Sequence, residues 1–283
     1  MSTRTTPTLR QRRLGAELRK MRLAAGATTE YAAGLLGVDR TRVSNMESGI
    51  RPISPERLRT LACHYACADE EYVEALIAMT ATRERGWWER DRGTLAAGLL
   101  DIAELEWDAA RISTMQTAHV PGLFQTEEYA RAVFAAVLPT PTRLQVELRV
   151  AHRMERQCVF ARPEPPVYVA YVHEAALRMR FGGPDAMRHQ LEHLCHASER
   201  DGVDIRVLPV EVGAFPGAGH ALLYAHGVVP QLDTVQLDSA HGPDFTHADA
   251  QLAKYRAHLG WMDDASLSTS ASRDFIRKIA RSL

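Results

Sequence analysis

The stretch Thr28–Gly49, TTEYAAGLLGVDRTRVSNMESG, decides how the N-terminal part of this chain folds. It holds two short helical patterns separated by a glycine. The Thr28 hydroxyl can accept the free backbone N–H groups at the start of a helix that carries Ala32, Ala33 and Leu36 inward and stops at Gly37. Past Gly37-Val38, Asp39 can cap another helix, with Val43 and Met46 on its inner side and its end at Gly49. The outer side then presents Arg40, Thr41, Arg42, Ser44 and Asn45. An arginine can make paired hydrogen bonds to guanine and an asparagine to adenine, so this set is suited to base edges in a major groove. A helix enters that groove when a preceding helix lies across the phosphates to orient it. Two short helices joined by a glycine turn have the spacing of a helix-turn-helix.

Reading outward, Leu9–Ala24 places Leu14, Leu18 and Met21 at helical spacing among Arg, Lys and Glu, and Gly26 closes it. Ser54-Pro55 opens a fourth helix carrying Leu58, Leu61, Ala62 and Tyr65, and a fifth runs from Asp69 to about Thr82. The expectation is a disordered polar tail at residues 1–8 and an all-α, five-helix DNA-binding domain at 9–82. Residues 83–94, RERGWWERDRGT, break the apolar pattern and are expected to be a linker. Residues 95–283 read differently. Helical periodicity dominates from Leu95 to Phe160, and then come β-type runs at Val167–Val172, Val203–Leu208, Ala221–Ala225 and Thr234–Leu237. Helices are expected at about 184–199, 246–260 and 266–282, giving a larger α+β, or mixed α/β, domain.

Charge follows this division. Residues 1–60 hold twelve basic and five acidic side chains, a net +7, and the rest of the chain is −8. A basic end on an acidic body favours one end meeting a polyanion. No apolar run approaches the roughly 18 residues of a membrane span, and MSTRTTPTLR lacks the hydrophobic region of a secretory signal, so a cytoplasmic protein is expected. Cys63, Cys67, Cys158 and Cys195 are too scattered for a disulfide framework and are expected to be reduced thiols. His189, His193 and His196 with Cys195 lie on one helical stretch, but no further ligand accompanies them, and no metal or cofactor is expected. Arg149, Arg153 and Arg156, at spacings of four and three, read as a basic helix face pairing with acids. No nucleophile, base and charge-stabilising group converge in the sequence, so the chain is not expected to be an enzyme.

The 28–49 stretch resembles the core of the XRE-type, or lambda-repressor-like, regulators: a polar helix start, a buried Ala33, Gly37 in the turn, and the Val43–Gly49 run. The resemblance implies that Arg40, Thr41, Ser44 and Asn45 face the bases and that Thr29, Arg42 and Arg51 reach phosphate. It also implies a structural ion pair between Glu47 and Arg22. Gly34 departs from the pattern, which prefers a long polar residue there. The body resembles the C-terminal domain of actinobacterial WhiJ-like and antitoxin-like regulators. The stretches that carry this are LEWDAARI (105–112), VPGLFQTEEYARA (120–132), RVAHRMERQ (149–157), HEAALR (173–178), RHQLEHL (188–194), VDIRVLP (203–209) and GAFPGAG (213–219). A complex with a small partner protein encoded nearby is what this second resemblance implies.

The expected function is a sequence-specific transcriptional regulator, a homodimer on a pseudo-palindromic DNA operator, whose body binds a partner protein or a small-molecule effector. Two other readings stand beside it: an antitoxin-like scaffold that masks a partner and binds DNA to regulate itself, and a DNA-tethered enzyme. The apolar face of Phe275, Ile276 and Ile279 could serve either a dimer interface or packing within the domain.

Overall fold

The computed structural model describes residues 6–81, 86–239 and 241–283. The chain divides into two compact units, Met1–Leu105 and Glu106–Leu283.

The first unit begins with α1 (Leu9–Ala24), α2 (Thr29–Leu36), α3 (Arg40–Glu47), α4 (Pro55–His64) and α5 (Glu70–Thr80). Each helix opens on a short polar side chain, Thr8, Thr28, Asp39, Ser54 or Asp69, that accepts a backbone N–H two or three residues into the helix. Leu14, Leu18, Met21, Ala32, Ala33, Val43, Met46, Leu58, Leu61 and Leu76 are all buried and form the core. Thr8 belongs to α1 and not to a disordered tail, because it forms a reciprocal capping box with Gln11. Residues 1–5 of the expected tail lie outside the described residues.

Residues 82–85, at the end of the expected fifth helix and the start of the expected linker, also lie outside them, and the remainder of the linker is structured. Trp87–Asp91 form a 3-10 turn with Trp88 buried, and Arg92 pairs with Glu89 through two hydrogen bonds. The division of the chain falls beyond the expected linker, within α6 (Ala97–Asp108). Asp101 of α6 accepts the Leu9 backbone N–H at 2.9 Å and the Arg12 guanidinium at 2.7 Å, and Glu104 accepts the Arg10 N–H at 3.3 Å. These carboxylates at the start of α1 satisfy donors that a helix N-terminus leaves free, which ties the first turns of α6 to the helical unit.

The second unit is a six-stranded mixed sheet in the order β3-β2-β1-β4-β5-β6. Its elements are β1 (Arg111–Gln116), α7 (Glu127–Ala135), α8 (Arg143–Arg156), β2 (Val167–His173), α9 (Glu174–Arg178), α10 (Pro184–Ala197) and β3 (Val203–Leu208). They continue through β4 (Leu222–His226), β5 (Thr234–Ser239), β6 (Gly242–Thr246), α11 (Asp249–Ala265) and α12 (Thr269–Arg281). Strands β1, β2 and β3 are parallel, and β4, β5 and β6 add in antiparallel fashion beside β1. On one face Met115, Val169, Tyr171, Leu222, Tyr224 and Val235 pack on Leu252, Leu259 and Met262 of α11. On the other, Tyr168 meets Phe124 and Phe160. A sheet covered on both faces accounts for the long buried runs of β1 and β2.

Two expectations need correction here. The helical reading of 95–160 hid β1, the central strand. Its Ser113 and Thr114 look like solvent-facing residues in sequence yet are buried, because His226 Nε2 lies 3.1 Å from the Ser113 hydroxyl and Thr114 donates to the Leu222 carbonyl. The segment GPDFT was likewise not expected to be extended, and it forms the edge strand β6. Ile276 and Ile279 of α12 are buried, α12 packing on α10 and β3 within the unit, so that face closes an internal core. At the β3 edge, Val207 N–H donates to the Ser272 hydroxyl and its carbonyl accepts the Leu267 N–H, both at 2.9 Å.

Candidate nucleic-acid interface

The geometry of α2 and α3 is fixed from below by α1. Gly37 adopts φ +61, in the left-handed region that a side chain disfavours, and its N–H and that of Val38 return to carbonyls of α2. That turn re-aims the chain so that Asp39, whose carboxylate accepts the Arg42 N–H at 2.7 Å, starts α3. Val43 and Met46 anchor α3 to the core.

Two glycines set how closely α3 approaches α1. A Cβ on Gly15 would lie 2.6 Å from the Glu47 carbonyl oxygen and 2.7 Å from Gly49 N and Met46 O. A Cβ on Gly49, at φ +73, would lie 2.6 Å from the Gln11 carbonyl oxygen. Backbone therefore meets backbone where the end of α3 crosses α1. Beside that crossing, Arg22 Nε and Nη2 donate to the two carboxylate oxygens of Glu47 at 2.6 and 2.9 Å, and Nη1 donates to the Ala27 carbonyl at 2.9 Å. The bidentate pair is largely buried and holds the Arg22 guanidinium above its ordinary pKa. It joins the end of α1, the loop before α2 and the end of α3. Buried Tyr65 lies near it, and its phenol is raised to about 12, first by burial and then by the Glu47 charge.

The outer side of α3 is open. Arg40, Thr41, Arg42 and Ser44 are exposed, and Asn45 is half-buried at its edge. Among the described residues, the side chains of Thr41, Arg42, Ser44 and Asn45 make no hydrogen bond. The Asn45 carbonyl accepts the N–H groups of Ile50 and Arg51 at 2.9 and 3.1 Å, which folds the following loop back on α3 and leaves the Arg51 side chain exposed beside it. Thr29 sits at the first turn of α2, where free backbone N–H groups favour an anion.

One participant is not evident from the sequence. Glu30 of α2 accepts from Arg40 Nη1 at 3.0 Å and from the Thr29 hydroxyl at 3.2 Å, and these contacts, after its own backbone N–H, hold its carboxyl below the ordinary range. Glu30 thus occupies two of the expected contacts with an anion of the protein's own. Glu30 and Arg40 lie ten residues apart across a turn of known shape, but only the turn geometry brings them together.

The other candidates in the body fall apart spatially or are consumed by packing. Among the described residues no three His, Cys, Asp or Glu side chains gather as a metal site. On α10, His189 is exposed near Glu128, whereas Cys195 is buried with its thiol towards the Arg273 carbonyl. The four cysteines form no disulfide with one another. Among the described residues no helix is long and apolar enough to cross a membrane.

A basic α3 held clear of its own module, behind a glycine turn and a short α2, defines a helix-turn-helix protein, the class to which DNA-binding regulators belong. Residues 13–76 match a helix-turn-helix domain family, which agrees with that geometry. Residues 99–278, more than half of the chain, match a domain of unknown function, and the chain belongs to that DUF5753 family. No curated protein and no solved structure matches it.

Proposed function

We propose that the chain is a sequence-specific transcriptional regulator of the XRE, lambda-repressor-like kind, working in the cytoplasm as a homodimer on a pseudo-palindromic operator. In this reading Arg40, Thr41, Ser44 and Asn45 read bases, and Thr29, Arg42 and Arg51 grip phosphates. The observation that carries the reading is the exposed polar face of α3, where Thr41, Arg42 and Ser44 make no side-chain hydrogen bond among the described residues, at the basic end of an otherwise acidic chain. Two recognition helices would meet half-sites about 34 Å apart, one turn of duplex. The second unit acts by binding, not by catalysis: it takes a small-molecule effector or a small partner protein, as in WhiJ-like and antitoxin-like regulators, and that occupant shifts DNA affinity by favouring one state of the protein.

Genome-wide mapping of binding sites, combined with co-purification of bound proteins and footprinting of the sites recovered, tests the whole reading. A palindromic footprint lost on R40A/N45A substitution is the expected result. Retention of no oligonucleotide at low salt would overturn it, and masking of a partner that persists after the footprint is lost would favour the antitoxin-like scaffold.

A further inference from the structure

Arg153 of α8 stands apart from the arginines around it. Arg156, one turn on, is buried and donates from Nε and Nη2 to both oxygens of buried Glu106, at 2.8 and 2.5 Å. Arg153 has no such hydrogen-bonded carboxylate, so the expected pairing of this helix face with acids holds for Arg156 and not for Arg153. Its one hydrogen bond among the described residues runs from Nη1 to the neutral Gln125 amide oxygen at 2.5 Å. Its Nε is sealed from solvent without a partner, and its guanidinium lies 4.3 Å from the centre of the Phe134 ring. The side chain as a whole is half-buried, so part of it still faces outward. Burial, and then the Arg156 charge, lower its pKa to about 9. Glu106 is hydrogen-bonded to Arg156 alone, and the charges of Asp238 and Glu106 reach Arg153 only through space, so its guanidinium is left without a hydrogen-bonded carboxylate.

Next to it the backbone leaves room. A Cβ on Gly122 would meet nothing closer than Arg156 Nη2 at 3.5 Å, Arg153 Cζ at 3.8 Å and Arg153 Nε at 3.9 Å. The volume of one heavy atom is thus free against both guanidiniums, bordered by the same segment that supplies Gln125.

We infer that Arg153, with Gly122 and Gln125, forms the anion-binding subsite of a small-molecule pocket in the second unit, taking a carboxylate or phosphoryl oxygen of an organic anion with an apolar body. The oxygen supplies the hydrogen-bonded anion that Arg153 lacks and accepts from the guanidinium, and the Phe134 ring beside that guanidinium favours an apolar ligand body over inorganic anions alone. The inference deepens the effector reading and rests on it.

The test uses the full chain, with benzoate and inorganic phosphate as probes and neutral benzamide as control. Thermal unfolding and the NMR signal of Arg153 Nε–H are followed in the wild type, G122A and R153M. Benzoate should raise Tm and move the Nε–H signal more than phosphate does, and benzamide should do neither. G122A keeps the charge and, having neither a positive φ nor a tight contact, keeps the fold while filling the space. It should weaken benzoate binding about tenfold or more, the worth of a charged hydrogen bond, and R153M should abolish it. An unmoved Nε–H signal in the wild type, or equal binding by G122A, overturns the site, and so does a response to a protein partner alone. The operator footprint is recorded on the same samples: its presence with a failed probe response removes only the anion site, and its absence without any probe removes the regulator reading.

Discussion

Alanine at Gly15 and alanine at Gly34 are the same chemical change in two helices of one unit, and the structure gives them opposite signs. An alanine inside a helix is favoured over glycine by about 1 kcal/mol. At Gly34 nothing lies within 4 Å of the new Cβ, so the gain should appear in full. At Gly15 three backbone atoms stand 2.6–2.7 Å away, against 3.4 Å or more for ordinary contact, so α1 and the end of α3 must part by about 0.8 Å. Overpacking costs about 1–3 kcal/mol; with backbone on both sides the upper part of that range applies, leaving G15A destabilised by about 2 kcal/mol after the helix gain. The two variants should then differ by about 3 kcal/mol, which for a unit of this size is a Tm separation of more than about 10 °C. Thermal scans of the full chain, with hydrogen exchange of the α1 and α3 amides to locate the effect, measure it. If G15A proved as stabilising as G34A, the close crossing of α1 and α3 would be wrong, and with it the placement of the recognition helix.

Loss of the Asn45 amide in N45A should weaken operator binding by about 1–3 kcal/mol and relax specificity at one base pair, measured by titration against a set of single-base variants. R51A should weaken binding evenly across sequences and lower the salt slope by about 1, so an unchanged slope would remove Arg51 from the phosphate contacts. E30Q, which removes the charge that holds Arg40 and a carboxylate on the proposed DNA-facing surface, should raise affinity for every sequence; a loss of affinity would mean that Glu30 positions Arg40 for binding. His119, His193, His226 and His258 are held below the ordinary value of 6.5, in each case mainly by burial. Their folded pKa values are depressed, so the neutral forms contribute stability that is fully present above about 6.5 and is lost as pH falls through the folded values. Tm of the second unit should fall between about pH 7 and about pH 5, and a level Tm would contradict the burial.

The helix-turn-helix was legible because its information is local. Caps at Thr28 and Asp39, the stop at Gly37 and inward Val43 and Met46 each declare themselves within a few residues. What escaped depends on partners distant in sequence. Gly15 looks like a weak point in an amphipathic helix until the end of α3 is laid across it. β1 reads as helical or polar because Ser113 and Thr114 are satisfied by His226 and Leu222, more than a hundred residues on. Arg153 and Arg156 are alike in sequence, and only the position of Glu106 shows which of them is paired.

The margins of the sheet bear on self-association. On one side Val207 spends its outward N–H and carbonyl on Ser272 and Leu267, and on the other the short β6 carries Pro243, which has no N–H to offer. Each border thus has a point at which strand-to-strand pairing with another molecule is interrupted, at Val207 on one side and at Pro243 on the other. Those two interruptions work against growth of this sheet into a fibrous polymer and favour side-chain surfaces where copies of the protein meet.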